Sequence, residues 1–346
     1  MTDARRPRSH GWRLLWWSLA IASGALAAAV LPVVVQVQRA AARGQQLYAD
    51  VFVQDARGVI RQVSPGDGVY QFPHIHPSGT RVAFCGGATG VVRLFEHDLT
   101  TGTTRALTDG SYGAVMPHYA PDGRTLVFMA DVGTGQPPLR VRQIPRRGTF
   151  GRQRFRLCRL ELATGKVRAL TDPSANDLRP AFHPEGREIV FTSTRGGKLA
   201  LWTVRADGTA PPAPLRYRGF GYNASYAADG TALFFHANDG GRHRACRLNL
   251  GDEQPTFLAN DLFQQTHGAC ALPDGCGLLV HAQTDAGWSL WELPLDGSAA
   301  RRRTPPDFPH AMHASCAGNG ALAFDEERPV SVRRELWWRL RRLGRT

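Results

Sequence analysis

Several kinds of chemistry are missing from these 346 residues. No Cys-x-x-Cys pair occurs among the six cysteines, so the ligand spacing of a zinc site is absent. There is no Gly-x-Ser-x-Gly elbow, which removes the usual nucleophile of an α/β hydrolase, and no stretch remains to build such a domain. Carboxylates do not recur in a pattern suited to general acid–base work. Lysine is nearly lacking: of 42 basic residues only Lys166 and Lys198 are not arginine. Glycine (37) and proline (23) are plentiful but follow no collagen-like period, which predicts many turns rather than a fibre.

The formal charge of +13 is concentrated in three places. Residues 1–43 carry +5, residues 131–154 carry +5 and residues 326–346 carry +4, so the rest of the chain is close to neutral. A nucleic-acid groove needs basic residues spread over a folded face, and this distribution argues against one. No nucleic-acid partner is expected.

Charge is also absent from Leu14 to Val37, a run of 24 positions. A helix needs about 20 apolar residues to cross a bilayer core, and a cleaved signal has a shorter apolar stretch of about 7–15. The expectation is a basic cytoplasmic tail over 1–13, a transmembrane signal anchor over 14–37 and a linker over 38–46. The alternative is cleavage near Ala40–Ala42. Four arginines precede the span, so the positive-inside bias puts the remainder outside the cytoplasm. The expected location is the inner membrane, single-pass, with the body facing the periplasm. Trp12, Trp16 and Trp17 suit the inner interface.

From residue 47 the chain repeats. Related segments begin at Pro73 (PHIHPSGTRVAFCGG), Pro117 (PHYAPDGRTLVFMAD), Pro180 (PAFHPEGREIVFTST), Ala224 (ASYAADGTALFFHAND), Ala269 (ACALPDGCGLLVHAQTD) and His313 (HASCAGNGALAFDEE). The apolar residue closing each second strand falls at Phe84, Phe128, Phe191, Phe235, Val280 and Phe324, in steps of 44, 63, 44, 45 and 44. The long step coincides with the Arg-rich stretch 131–154, an insertion. Each unit reads as a strand, a Pro-Asp-Gly turn, a β-rich run, then a third strand marked by Phe95, Cys158, Trp202, Cys246 or Trp291. Four strands in about 44 residues is a propeller blade. Residues 47–64 match only the second half of a unit and 313–325 only the first. The expected fold is all-β, a six-bladed β-propeller over 47–325 closed by strands from both termini, preceded by one transmembrane helix.

The run LTDPSANDLRPAFHPEGREIVFTSTRGGKLALWTVRADG, Leu170 to Gly208, resembles the repeat of TolB-type propellers. The shared pattern is Leu-Thr, Pro-x-aromatic-x-Pro-Asp-Gly and a closing Asp-Gly. The resemblance implies a WD-like propeller serving as a binding scaffold in the cell envelope, and such repeats serve many roles. The chain departs from TolB itself in its apparent anchor and in having no separate N-terminal α/β domain.

Strand alternation places the loops entering the inner strands, and the insertion, on one face around the channel mouth, where propellers commonly bind ligands. The candidate partner-binding residues there are His74, His118, Arg179, Asn223, His267 and His313, with Asp177 and His310 nearby. Arg140, Arg142, Arg146 and Arg147 of the insertion are added as a dock for an acidic partner, an envelope protein or an anionic glycan. No catalytic residue, metal or cofactor is expected. The alternative is a metal-dependent carbohydrate lyase or hydrolase at the same His-rich mouth. Cys158 and Cys246 read as buried free thiols, and Cys270 with Cys276, flanking one turn, as the local pair to test. The tail 326–346, with Leu336, Leu340 and Leu343 at helical spacing, suits an amphipathic helix on lipid or on the propeller.

Overall fold

Each Pro-Asp-Gly segment closes a tight turn between two extended runs. In the second unit the Asp122 carboxylate accepts the Arg124 amide at 2.9 Å, and Gly123 takes a φ of +67°. A side chain at Gly123 would also run into His76, whose Nε2 lies 3.2 Å from the Gly123 carbonyl. The turn is therefore a docking point between neighbouring units as well as a reversal of the chain.

A computed structural model describes residues 47–144, 153–258 and 262–329. The tail, anchor and linker expected over 1–46 lie outside the described residues, as do Arg146, Arg147 and the tail from 330 onward. Among the described residues no helix is long and apolar enough to cross a membrane. Residues 48–328 form one compact unit.

Among the described residues twenty-four strands follow one another. Four sheets are separate meanders of four antiparallel strands. The first chain segments instead contribute β1 (Leu47–Gln54), β2 (Ile60–Gln62), β3 (Val69–Ile75), β4 (Arg81–Gly87), β5 (Arg93–Asp98) and β6 (Thr104–Ala106) to a larger sheet. The meanders are β7 (Ala114–Tyr119), β8 (Thr125–Ala130), β9 (Arg156–Glu161) and β10 (Val167–Ala169); then β11 (Asp177–Phe182), β12 (Glu188–Ser193), β13 (Ala200–Arg205) and β14 (Ala213–Pro214). Next come β15 (Tyr222–Tyr226), β16 (Ala232–Asp239), β17 (Arg242–Asn249) and β18 (Thr256–Phe257), and β19 (Gln265–Ala271), β20 (Gly277–Thr284), β21 (Gly287–Pro294) and β22 (Arg301–Arg302). The last pair, β23 (Ala311–Cys316) and β24 (Leu322–Pro329), joins β1 to β6 in one eight-stranded sheet.

The fold is thus an all-β propeller, but six separate four-stranded sheets are not what the strands form. Four blades stand alone, and the other eight strands are one sheet because β1 meets β3 in a parallel pair at Ala49 and Val69. Strands from both ends do share that sheet, in the order β23-β24-β1, and β24 runs on to Pro329, past the expected boundary at 325.

The recurring residues have clear jobs. Phe84, Phe128, Phe191, Phe235, Val280 and Phe324 are all fully buried. The third-strand landmarks are their cross-strand partners: Phe95 opposite Phe84, Cys158 opposite Phe128, Trp202 opposite Phe191, Cys246 opposite Phe235 and Trp291 opposite Val280. Such facing pairs stabilise a sheet by about 0.2–1 kcal/mol each. The Leu-Thr motif supplies a buried hydroxyl: Thr108 accepts the Leu94 amide and Thr171 the Leu157 amide, both at 3.0 Å. Outer strands β10, β14, β18 and β22 are two or three residues long and exposed, which shortens the free edge each sheet presents.

Candidate functional site

The first strand of each unit carries the same irregularity. Register shifts fall between Gln71 and His74, Val115 and His118, Leu178 and Ala181, Tyr222 and Ser225, His267 and Cys270, and Met312 and Ser315. At each shift one residue has positive φ: Phe72 (54°), Met116 (53°), Arg179 (56°), Asn223 (56°), Gly268 (66°) and His313 (49°). For residues other than glycine this left-handed conformation costs on the order of 1–3 kcal/mol and marks functional positions. The six inner strands pack in a closed circuit, β3 to β7, β11, β15, β19, β23 and back to β3. All six left-handed residues line one central cavity of about 110 Å³, together with His74, His118, Ser225 and Cys270.

Hydrogen bonds between neighbouring units offset the strain. The Phe72 amide donates to Asp325 Oδ2 at 2.7 Å, the Asn223 amide to Thr192 Oγ1 at 3.3 Å, and the Arg179 amide to Met129 Sδ at 3.3 Å. Each acceptor sits one residue past the closing apolar position of the preceding unit. The same position holds Cys85, His236 and His281, so a second ring of side chains stands behind the first. A third set of bonds lies one step along: Ile75 N to Ser315 Oγ, Tyr119 N to His74 Nδ1 and Ala271 N to Ser225 Oγ.

Phe72, His74, His118 and His313 bring rings to the wall, and further aromatic and imidazole rings gather beside it. The Arg179 guanidinium lies over Phe72 at 5.2 Å and Tyr222 at 5.3 Å, and its Nε donates to the Tyr222 hydroxyl at 3.2 Å. The His74 and His118 rings meet at a tilt of 37°, 3.7 Å between centroids. His267 has His236 at 5.0 Å, His243 at 5.1 Å, His281 at 5.7 Å and Trp288 at 5.2 Å. Burial is the main cause holding His74, His118, His236 and His281 below the ordinary histidine value, His118 at about 4. These four imidazoles are neutral at pH 7, so the fixed positive charge among them is Arg179. His313 Nδ1 meets both oxygens of buried Asp325, at 2.9 and 3.0 Å.

The structure therefore brings His74, His118, Arg179, Asn223 and His313 to one cavity, with His267 in the ring cluster beside it. Arg140 and Arg142 are exposed on the insertion and do not line the cavity. Their segment is pinned rather than loose: Leu139 and Val141 are buried, and the Asp131 carboxylate accepts the amides of Gly113 and Leu139. Asp177 serves the fold, accepting Ser193 Oγ and Arg195 Nη2 at 2.6 Å each. Cys270 faces Cys316, not Cys276, because the inner strands of neighbouring units run side by side. Among the described residues no cluster of three or more His, Cys, Asp or Glu side chains is arranged to hold a metal ion. Asp325, His236 and His281 escaped the sequence reading, although their offset from the closing apolar residue was available as a signal.

No family model matches the chain. It is 29% identical over 176 residues to the protein TolB homolog of Chlorobium luteolum, covering 51% of this chain and 36% of that one. It is 40% identical over 55 residues to the Tol-Pal system protein TolB of Thiobacillus denitrificans, 16% of this chain and 13% of that one. The chain thus spans well under half the length of these curated relatives. The solved structure of a putative TolB from Agrobacterium tumefaciens superposes with a TM-score of 0.64 at 13% identity, over 82% of this chain and 99% of that one. The fold is that of a TolB-like β-propeller.

Proposed function

We propose that the chain is a membrane-anchored scaffold of the cell envelope that holds an acidic segment of a partner protein at the channel mouth. The observation that carries this reading is Arg179, a guanidinium fixed between Phe72 and Tyr222 on the wall of a cavity where burial holds His74 and His118 below the ordinary histidine value. A planar cation with aromatic walls suits a carboxylate flanked by apolar groups. The exposed Arg140 and Arg142 extend the positive field from the same face, since Ala130, where the insertion departs, pairs with Ala114 at the start of the inner strand. The resemblance to envelope TolB proteins supports a protein partner, and the uncharged run 14–37 supports the anchor. We further read the eight-stranded sheet as two blades, giving a six-bladed ring; the closed circuit of six inner strands supports this.

The test is capture of the partner from crosslinked membranes by the full chain. Arg179→Asn, the residue that Asn223 already places at the equivalent left-handed position, should cut capture about tenfold or more, the worth of a charged hydrogen bond. Arg140→Ser with Arg142→Ser should weaken capture mainly at low salt. Normal capture by Arg179→Asn at all salt concentrations overturns the choice of site.

A further inference from the structure

Six cysteines occupy three different environments. Cys85, Cys158 and Cys246 are buried, and burial pushes each thiol up to about 12, so they are poor nucleophiles. Cys276 is exposed and its Sγ points at the Asp274 carbonyl within its own turn. Cys270 and Cys316 are the remaining two. They lie on β19 and β23, inner strands of adjacent units that share no backbone ladder. Their Sγ atoms are 3.5 Å apart, and both approach the Ala271 carbonyl. Both are partly exposed, and Cys270 lines the central cavity.

We propose that Cys270 and Cys316 are a reversible disulfide site, closed by a small disulfide-bearing oxidant that enters through the cavity. The Cys270 thiolate attacks one sulfur of the oxidant, forming a mixed disulfide and releasing the first thiolate. Cys316, after giving up its proton, attacks Sγ of Cys270, and the second thiolate leaves. Two protein thiols are oxidised, the donor disulfide is reduced to two thiols, and the protons pass to those products. The order follows from the surroundings. A hydrogen bond from the Cys316 thiol favours ionisation of Cys270 and correspondingly pushes the Cys316 thiol up. The cavity also gives an incoming molecule a route to Cys270. Reaching bonding distance needs the sulfurs to close by about 1.5 Å in total. The bond would tie the β19–β22 sheet to the sheet built from both ends of the described chain, where side-chain packing and isolated contacts now hold the junction.

The test uses the full chain carrying Cys276→Ser, so that the exposed thiol cannot react. The reduced protein is treated with oxidised glutathione, quenched in acid, denatured and alkylated. Alkylatable thiols should fall from five to three. Peptide mapping should recover the segments holding Cys270 and Cys316 as one species two mass units lighter than their sum, restored by dithiothreitol. Thermal unfolding should move to higher temperature on oxidation. With Cys316→Ser added, glutathione should accumulate on Cys270. The site is refuted if Cys270 and Cys316 are both alkylated after oxidation, or if Cys270 ends as the glutathione adduct while Cys316 is present and alkylated. An unmodified Cys270 in the Cys316→Ser variant refutes its assignment as the attacking thiol.

Discussion

Asp325 shows how one side chain can hold a strained position. It is fully buried, its Oδ2 takes the amide of left-handed Phe72, and both oxygens meet His313. Asn at 325 keeps one oxygen and turns an amide donor toward a group that also donates. The expected loss is about 1–3 kcal/mol, read as a lower urea midpoint. Asp122→Ala, which removes one exposed turn bond, should cost about 1 kcal/mol. The buried histidines set a pH dependence. His118 titrates at about 4 in the fold against about 6.5 unfolded. Between those values the unfolded chain binds the extra proton, so this contribution is whole above about pH 6.5 and falls as pH falls toward 4. Asp131 and Asp177, pushed up by burial, act in the opposite sense. The measurement is therefore a difference: His118→Gln should show a shallower loss of stability than the parent between pH 6.5 and 5.

At the scale of elements, β24, β1 and β2 are joined through a buried polar group. Arg328 pairs with Asp50, which also accepts Gln62 Nε2 at 2.9 Å and Ser64 Oγ at 2.7 Å. Breaking a buried pair from one side leaves a charge stranded, at about 3–5 kcal/mol. Arg328→Met and Asp50→Asn should each destabilise by that order, and the double variant by clearly less than their sum, as a double-mutant cycle in urea would measure. The sequence made the strands readable because Phe84, Phe128 and Phe191 recur beside Gly turns at nearly constant spacing. It did not reveal Asp50 with Arg328, since that contact joins distant parts of the chain in the unit whose repeat pattern is most worn. Nor did it reveal Asp325, His236 and His281. Their identities differ from unit to unit, and only the shared offset in the fold makes them equivalent. The insertion was readable as an insertion, but its buried Leu139 and Val141 were hidden among arginines.

For the molecule as a whole, the sheet shared by both ends decides whether the circuit of inner strands stays closed. Removing residues 47–64 takes away β1 and β2, exposes the edges of β24 and β3, and strips the Asp50 partner from Arg328. That variant should lose its cooperative thermal transition, whereas the Cys276→Ser variant, altered at an exposed turn, should keep it. A calorimetric scan of both checks this. The repeat was enough for the propeller. What merged β3 into the terminal sheet was a single parallel pair, Ala49 with Val69, and no residue pattern marks it.

The six left-handed positions share a backbone geometry but carry Phe, Met, Arg, Asn, Gly and His. A molecule entering the cavity finds the same scaffold at every step around the axis and different chemistry at each one. Rotating it by one step would exchange a guanidinium for a thioether or an imidazole for a phenyl ring. On the proposed reading the socket is keyed: repetition supplies its roundness, and the variation among equivalent residues would leave an occupant one preferred orientation.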